Sequence, residues 1–116
     1  HLPGLRLPRI PPGFRSVYAQ FTVRHPARDT LRAALAEAGL PTAIYYPQPA
    51  HLSPAYAQRA RFGPLPQAEA ACREVFALPF SADTPLALPE RIGAVLSRAL
   101  VSPQPSTGSS TPSGIS

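Results

Sequence analysis

Proline restricts this chain more than any other residue, because 17 of its 116 residues are proline. Proline has no backbone N–H and disfavours helix at the residue before it, so regular elements are expected between the prolines. Residues 1–15 contain four prolines, which predicts an extended, irregular segment. Residues 101–116 combine six Ser, two Thr and three Pro with no charge, which predicts a disordered tail. One folded domain is therefore expected over residues 16–100.

Apolar periodicity predicts a strand and then a helix at the start of this folded part. Residues 16–24 alternate apolar and polar side chains, the pattern of a strand with one buried face. The side chains on its buried face would be those of Val17, Ala19, Phe21 and Val23. Pro26 suits the first turn of the following helix, and Gly39 stands where that helix is expected to stop. One face of this helix carries Leu31, Ala34, Leu35 and Ala38.

Three further elements determine the expected fold class. Residues 42–46 have the pattern of a second short strand, and residues 67–76 and 88–100 have the pattern of amphipathic helices. A strand–helix–strand unit covered by helices is an α/β arrangement, here an α+β small domain. Two strands are too few for a stable independent sheet, and the chain begins without methionine. We therefore expect the chain to be part of a longer protein.

Composition excludes several classes of function. All 11 basic residues are arginine, so the chain has no lysine amine for an internal Schiff base or a P-loop phosphate site. One cysteine excludes a disulfide framework and a thiolate-rich zinc site. No apolar run reaches the roughly 20 residues of a membrane-spanning helix. The net charge of +5 raises the question of nucleic acid, but the arginines are scattered and accompany no recognition motif, so nucleic-acid binding is disfavoured.

The densest group of functional side chains is Tyr45, Tyr46 and His51, which lie at and after the end of a predicted strand and precede a predicted helix. Ligands usually bind at such positions in open α/β sheets. Two phenols and an imidazole offer hydrogen-bond donors, acceptors and flat faces for a hydroxyl-rich or aromatic ligand. In the alternative interpretation the two tyrosines point to opposite faces of the strand, so that one belongs to the core. His51 is then a surface or capping residue.

Other catalytic groupings are disfavoured. His51 and Cys72 could pair as base and thiol nucleophile, but a cysteine on the apolar face of a helix is typical of a small buried hydrophobic residue. The three histidines lie in unrelated segments with no further ligand at helical spacing, which predicts no metal site.

Five segments in order resemble a known family. The sequence contains HLPGLRLP (1–8), VYAQFTVR (17–24), RDTLRAAL with AGLPT (28–42), YYPQPAHLSPAY (45–56) and PQAE with LP (66–79). Together these segments are similar to the C-terminal part of the DegT/DnrJ/StrS family of pyridoxal-phosphate-dependent sugar aminotransferases. The resemblance covers roughly residues 1–100.

The resemblance implies an aspartate-aminotransferase-like fold, in which a large cofactor-binding domain precedes a small C-terminal domain. It implies a cytoplasmic homodimer that transfers an amino group from an amino-acid donor to a keto-sugar nucleotide. By the same resemblance, Tyr45, Tyr46 and His51 face the sugar nucleotide or the cofactor edge, and Tyr45 replaces a histidine of many members.

The family's Schiff-base lysine would precede residue 1, so this chain is not expected to be catalytic alone. Two interpretations stay open. The chain is the C-terminal part of such an aminotransferase, or it is a stand-alone, non-catalytic basic α/β module. A module of this kind would bind a sugar nucleotide, nucleic acid or a protein partner.

Overall fold

The computed structural model describes residues 2–56, 58–59 and 63–101 of the chain. The elements in order are β1 (Phe21–Arg24), α1 (Arg28–Glu37), a 3₁₀ turn (Ala50–Leu52), α2 (Pro66–Glu74), β2 (Val75–Leu78) and α3 (Leu88–Val101). Within these residues, no helix is long and apolar enough to cross a membrane. Beyond residue 101, the tail that the sequence predicts to be disordered lies outside the described residues.

The two strands form an antiparallel pair in which Phe21 faces Leu78 and Arg24 faces Val75. A single bridge extends the pair on each side, from Arg6 to Arg24 and from Ala43 to Ala77. Helix α1 packs against α3 and against β2. The α+β class expected from the sequence is therefore confirmed.

Two of the three helices predicted from apolar periodicity, α1 and α3, are confirmed. Leu31 and Leu35 of α1 are fully buried, and Ile92, Val95 and Leu96 of α3 pack with them. The other members of the buried apolar cluster lie on the two strands and in the turn after α1: Val23, Phe76 and Leu40. Side chains four residues apart lie on the same face of a helix, so α1 and α3 each present one apolar face to this core. Helix α1 begins at Arg28, so Pro26 lies in the turn before it rather than in its first turn.

The strand predictions are only partly right. Of the predicted strand 16–24, only the last four residues pair, because Tyr18 takes a left-handed φ of 46° and Val17 is 92% exposed. The predicted strand 42–46 is wrong. There Ala43 alone exchanges two hydrogen bonds with Ala77, at 3.3 and 2.7 Å, before the chain turns away.

The second strand lies instead at the end of a predicted helix. Helix α2 stops at Glu74, and Val75 turns to an extended conformation with ψ of 145°. Val75 and Phe76 are residue types that favour strands, and in β2 the Phe76 side chain reaches the core with no exposed surface. Helical continuation to residue 76 was therefore the wrong prediction.

A buried histidine joins the N-terminal segment to the sheet. His25 is 7% exposed; its Nδ1 accepts the Ala27 N–H at 2.9 Å, and its Nε2 lies 3.2 Å from the Pro3 carbonyl oxygen. Since a neutral imidazole has one donor and one acceptor, Nε2–H donates to Pro3. His25 is thus a structural residue, and the ring packs directly over Gly4.

Replacing Gly4 by alanine is expected to destabilise the fold more than the same change at Gly39. Both glycines have a left-handed φ, 73° and 74°, so each substitution costs about 1 kcal/mol in backbone conformation. At Gly4 a Cβ would also lie 3.0 Å from His25 Nε2, whereas nothing lies within 4 Å at Gly39. Urea unfolding followed by circular dichroism measures the difference, and equal losses for the two variants would contradict the packing described here.

Candidate functional site

The segment between Ala43 and the 3₁₀ turn places two tyrosines side by side on the surface. Tyr45 is 47% exposed and Tyr46 is 73% exposed, and their ring centroids lie 6.1 Å apart in an edge-on arrangement. Gln48 closes the loop, since its side-chain amide donates to the Leu52 carbonyl at 2.8 Å. Neither tyrosine belongs to the core, so the interpretation that buries one of them is wrong.

His51 is held on the inner side of the 3₁₀ turn. Its side chain is only 6% exposed, and its Nε2 lies 2.9 Å from Oε1 of Glu69 on α2. The same oxygen accepts the Leu65 N–H at 3.2 Å. These contacts, above all the hydrogen bond from His51, lower the pKa of the Glu69 carboxyl below its ordinary value. His51 is therefore a fixed residue rather than a freely moving surface side chain.

Glu69 is the residue that sequence reasoning missed. Periodicity assigns it only to the outer face of its helix, and nothing in the sequence pairs it with a histidine 18 residues earlier. The pairing depends on how the 3₁₀ turn sits against the first turn of α2, which is a tertiary contact. Among the sequence signals, only the position of Glu69 in one of the family-like segments singles it out.

The tyrosines and His51 share one concave surface of about 530 Å³, here called the tyrosine–histidine pocket. Its lining comes from the loop and 3₁₀ turn on one side and from α2 with the residue before it on the other: Tyr45, Tyr46, Gln48, Pro49, Ala50, His51, Leu65, Ala68, Ala71 and Cys72. The helix supplies an apolar floor, and the loop supplies two phenols and an imidazole. Such a surface can stack flat groups and hydrogen-bond hydroxyls.

Cys72 lies in this pocket, but the structure records no hydrogen bond between its thiol and His51 among the described residues. The Nε2 atom of His51 is engaged by Glu69, and the Cys72 carbonyl accepts a hydrogen bond from Arg28. The side chain is half-buried at the apolar floor. Its position therefore agrees with a packing role better than with that of a nucleophile.

A second, apolar groove of about 550 Å³ lies between the N-terminal segment, the sheet and α3. Its lining contains no titratable side chain: Leu2, Leu5, Leu7, Phe21, Leu78, Pro79, Phe80, Thr84, Leu88, Pro89, Ile92, Gly93 and Leu96. Although it is slightly larger than the tyrosine–histidine pocket, it offers one hydroxyl and no acid or base. It is therefore the weaker candidate for binding a polar ligand.

The family profile described as the DegT/DnrJ/EryC1/StrS aminotransferase family matches residues 2–97. The chain belongs to this family. A dTDP-3-amino-3,4,6-trideoxy-alpha-D-glucose transaminase of Streptomyces venezuelae is 48% identical over 79 residues, which are 67% of this chain and 21% of the transaminase. A UDP-N-acetyl-3-dehydro-alpha-D-glucosamine 3-aminotransferase of Acidithiobacillus ferrooxidans is 37% identical over 102 residues, which are 86% of this chain and 27% of that enzyme.

Solved structures agree with this DegT-family assignment. The crystal structure of S. venezuelae DesV in complex with a ketimine intermediate matches with a TM-score of 0.81 and 38% identity, over 89% of this chain and 28% of that chain. A DegT/DnrJ/EryC1/StrS aminotransferase from Brucella abortus matches with a TM-score of 0.76 and 32% identity, over 85% of this chain and 27% of that chain. The chain thus spans between about a fifth and somewhat over a quarter of the length of these relatives.

The residues of this DegT-family chain do not fit covalent attachment of pyridoxal phosphate. That attachment needs a lysine amine, and no lysine occurs among the 116 residues. Nor do the described residues contain a group of three or more His, Cys, Asp or Glu side chains that could hold a metal ion.

Several arginines of this DegT-family chain bond to the chain's own fold. Arg24 pairs with Glu74, and Arg28 pairs with Asp29 and also reaches a carbonyl at the end of α2. Arg32 donates to the Thr42 hydroxyl at 2.9 Å. These guanidinium groups are therefore engaged within the fold rather than free to bind a polyanion.

The Arg24–Glu74 pair predicts a loss of stability in acid. The hydrogen bond from Arg24 holds the pKa of Glu74 below its ordinary value of 4.5. The unfolded chain then binds more protons than the folded one as pH falls below about 4.5, so the free energy of unfolding decreases there. Glu74→Gln should remove the part of this decrease in stability that comes from Glu74. The measurement compares urea unfolding midpoints at neutral pH and near pH 4. Glu90→Gln controls for net charge, and an unchanged pH dependence in Glu74→Gln would contradict the pairing.

Proposed function

We propose that this chain forms the small C-terminal domain, residues 16–100, of a pyridoxal-phosphate-dependent aminotransferase that acts on a keto-sugar nucleotide. Tyr45, Tyr46 and His51 contact the substrate in the tyrosine–histidine pocket. The lysine that attaches the cofactor lies on residues outside this chain, the amino group comes from an amino-acid donor, and the whole enzyme is a cytoplasmic homodimer.

The observation that carries this proposal is the pocket itself. Membership of an aminotransferase family supports the reaction class, and relatives named as transaminases of dTDP- and UDP-sugars support the substrate class. The three residues share one concave surface with phenol, imidazole and apolar groups, which suits a ring carrying hydroxyls. The apolar groove lacks such groups.

Titration of the ¹⁵N-labelled chain with dTDP-glucose and with UDP-N-acetylglucosamine tests the substrate contacts. The expected result is a saturable change in the amide resonances of residues 45–52 and of α2, since these residues line the pocket. Tyr46→Ala should weaken the response, whereas Tyr18→Ala, outside the pocket, should leave it unchanged. Changes confined to the apolar groove, or no changes, would contradict the proposed contacts.

The rival function, a basic module that binds nucleic acid, predicts a different titration. A duplex oligonucleotide would then bind with an affinity that falls steeply as salt rises, because counterion release drives such binding. The internal pairing of Arg24, Arg28 and Arg32 does not support this function. We expect no saturable binding to the oligonucleotide at low salt.

A further inference from the structure

We propose that Glu69 is a positioning residue, which holds the proton of His51 on Nε2 and leaves Nδ1 to accept a hydrogen bond from a sugar hydroxyl. This inference rests on the proposed function and assigns one atom of the pocket to one group of the substrate. It predicts that His51 recognises hydroxyls rather than the carbonyl or the diphosphate of a sugar nucleotide.

The direction of the His51–Glu69 hydrogen bond follows from the chemistry of the carboxylate. An ionised carboxylate can only accept, and Glu69 Oε1 already accepts the Leu65 N–H at 3.2 Å. His51 Nε2, at 2.9 Å from the same oxygen, must therefore carry the hydrogen and donate it. The Leu65 N–H and the His51 ring together orient the Glu69 carboxylate, and the carboxylate in turn orients the imidazole ring.

The other ring nitrogen is left open. A neutral imidazole that donates through Nε2 has an unprotonated acceptor at Nδ1. Among the described residues the structure records no partner for this atom, and no buried side-chain nitrogen or oxygen lacks a hydrogen bond there. Nδ1 therefore keeps some solvent-accessible surface, although the His51 side chain as a whole is only 6% exposed. His51 is one of the residues that line the tyrosine–histidine pocket, so a ligand bound there lies beside the imidazole.

The chemistry of the acceptor selects the partner. A sugar hydroxyl has a hydrogen to donate, whereas a keto oxygen and an ionised phosphate are acceptors only. An unprotonated Nδ1 can therefore accept a hydrogen bond from the hydroxyl, but it repels the lone pairs of the keto oxygen and of the phosphate. If Glu69 were absent, the ring could exchange its proton between the two nitrogens, and this selection would be lost.

The position of the ring proton is the first test, and it needs no ligand. Long-range ¹H–¹⁵N spectra of the 116-residue chain should show His51 with a protonated Nε2 and an unprotonated Nδ1. Glu69→Gln keeps the shape of the side chain but can donate as well as accept, so the two ring nitrogens should move toward a mixture. Glu90→Gln, a charge-matched control on α3, should leave the ring unchanged. A protonated Nδ1 in the unaltered chain would overturn the assignment.

The second test separates the two ring nitrogens by substitution, with UDP-N-acetylglucosamine as the probe. Asparagine places its amide oxygen near the position of Nδ1, whereas glutamine places its amide near that of Nε2. We expect His51→Asn to retain most of the affinity and His51→Gln to lose about tenfold, the size of one hydrogen bond. Equal affinities, or the reverse order, would overturn the role of Nδ1.

The two tests keep this inference separate from the proposed function. If the unaltered chain binds the probe in the pocket but the two substitutions do not differ, the function stands and the inference fails. If the chain does not bind the probe at all, the proposed contacts fail and the hydroxyl assignment fails with them. The effect of Glu69 on the ring proton is measured independently of either result.

Discussion

We expect His51→Ala to lower kcat/KM for a keto-sugar nucleotide by about ten- to a hundredfold in a hybrid enzyme that carries this chain. In the hybrid, residues 2–97 replace the matching segment of the S. venezuelae transaminase, to which the chain is 48% identical over 79 residues. The loss has two physical sources. In the proposed contact the substrate would lose one hydrogen-bond partner, and Glu69 would lose the imidazole that donates to it.

Two further measurements make this prediction specific. The absorbance of the bound cofactor should be unchanged by His51→Ala, since this chain has no lysine that could attach it covalently. Val17→Ala, at a position 92% exposed and outside the pocket, should leave kcat/KM unchanged. A hybrid whose steady-state kinetics are the same with histidine or alanine at position 51 would remove His51 from the site.

The largest effect on stability is expected from Phe76→Ala. Phe76 is the largest side chain with no exposed surface, and it belongs to the buried cluster formed by α1, α3 and the two strands. Truncating a buried phenylalanine costs about 3–5 kcal/mol, through lost apolar burial and the cavity left behind. Because domains of this size are stable by only about 5–15 kcal/mol, much of the stability should be lost.

Phe14→Ala is the matched control for this core substitution. It removes the same ring from a side chain that is 74% exposed, so its free energy of unfolding should stay within about 0.5 kcal/mol of the unaltered chain. Urea unfolding followed by circular dichroism compares the two variants. Similar midpoints for Phe76→Ala and Phe14→Ala would contradict the assignment of β2 to the core.

The helices were predictable because their signal is local. In α1 and α3 apolar residues recur every three or four positions, and the same residues line the core. Strand β2 was not predictable in this way, since four residues directly after a helix carry too little periodicity to show the change. What makes Val75–Leu78 a strand is its pairing with β1, which lies far away in sequence. Tertiary contact overrides the local helical pattern there.

The same distinction between local signal and tertiary contact applies to the candidate site. Tyr45, Tyr46 and His51 stand out in the sequence because functional side chains cluster between two predicted elements. Their common pocket with α2, and the hydrogen bond from His51 to Glu69, arise only when the 3₁₀ turn packs on that helix. The three candidate residues could therefore be predicted from the sequence, whereas Glu69, the partner that orients the imidazole, could not.

The amino-transfer activity of the hybrid enzyme tests the central claim most directly. The S. venezuelae structure and this chain share a TM-score of 0.81, so the segment should fit its new surroundings. We expect the hybrid to bind the cofactor and to transfer an amino group to a keto-sugar nucleotide. A folded hybrid that binds the cofactor but transfers no amino group would contradict the claim that this chain forms a substrate-contacting part of such an enzyme.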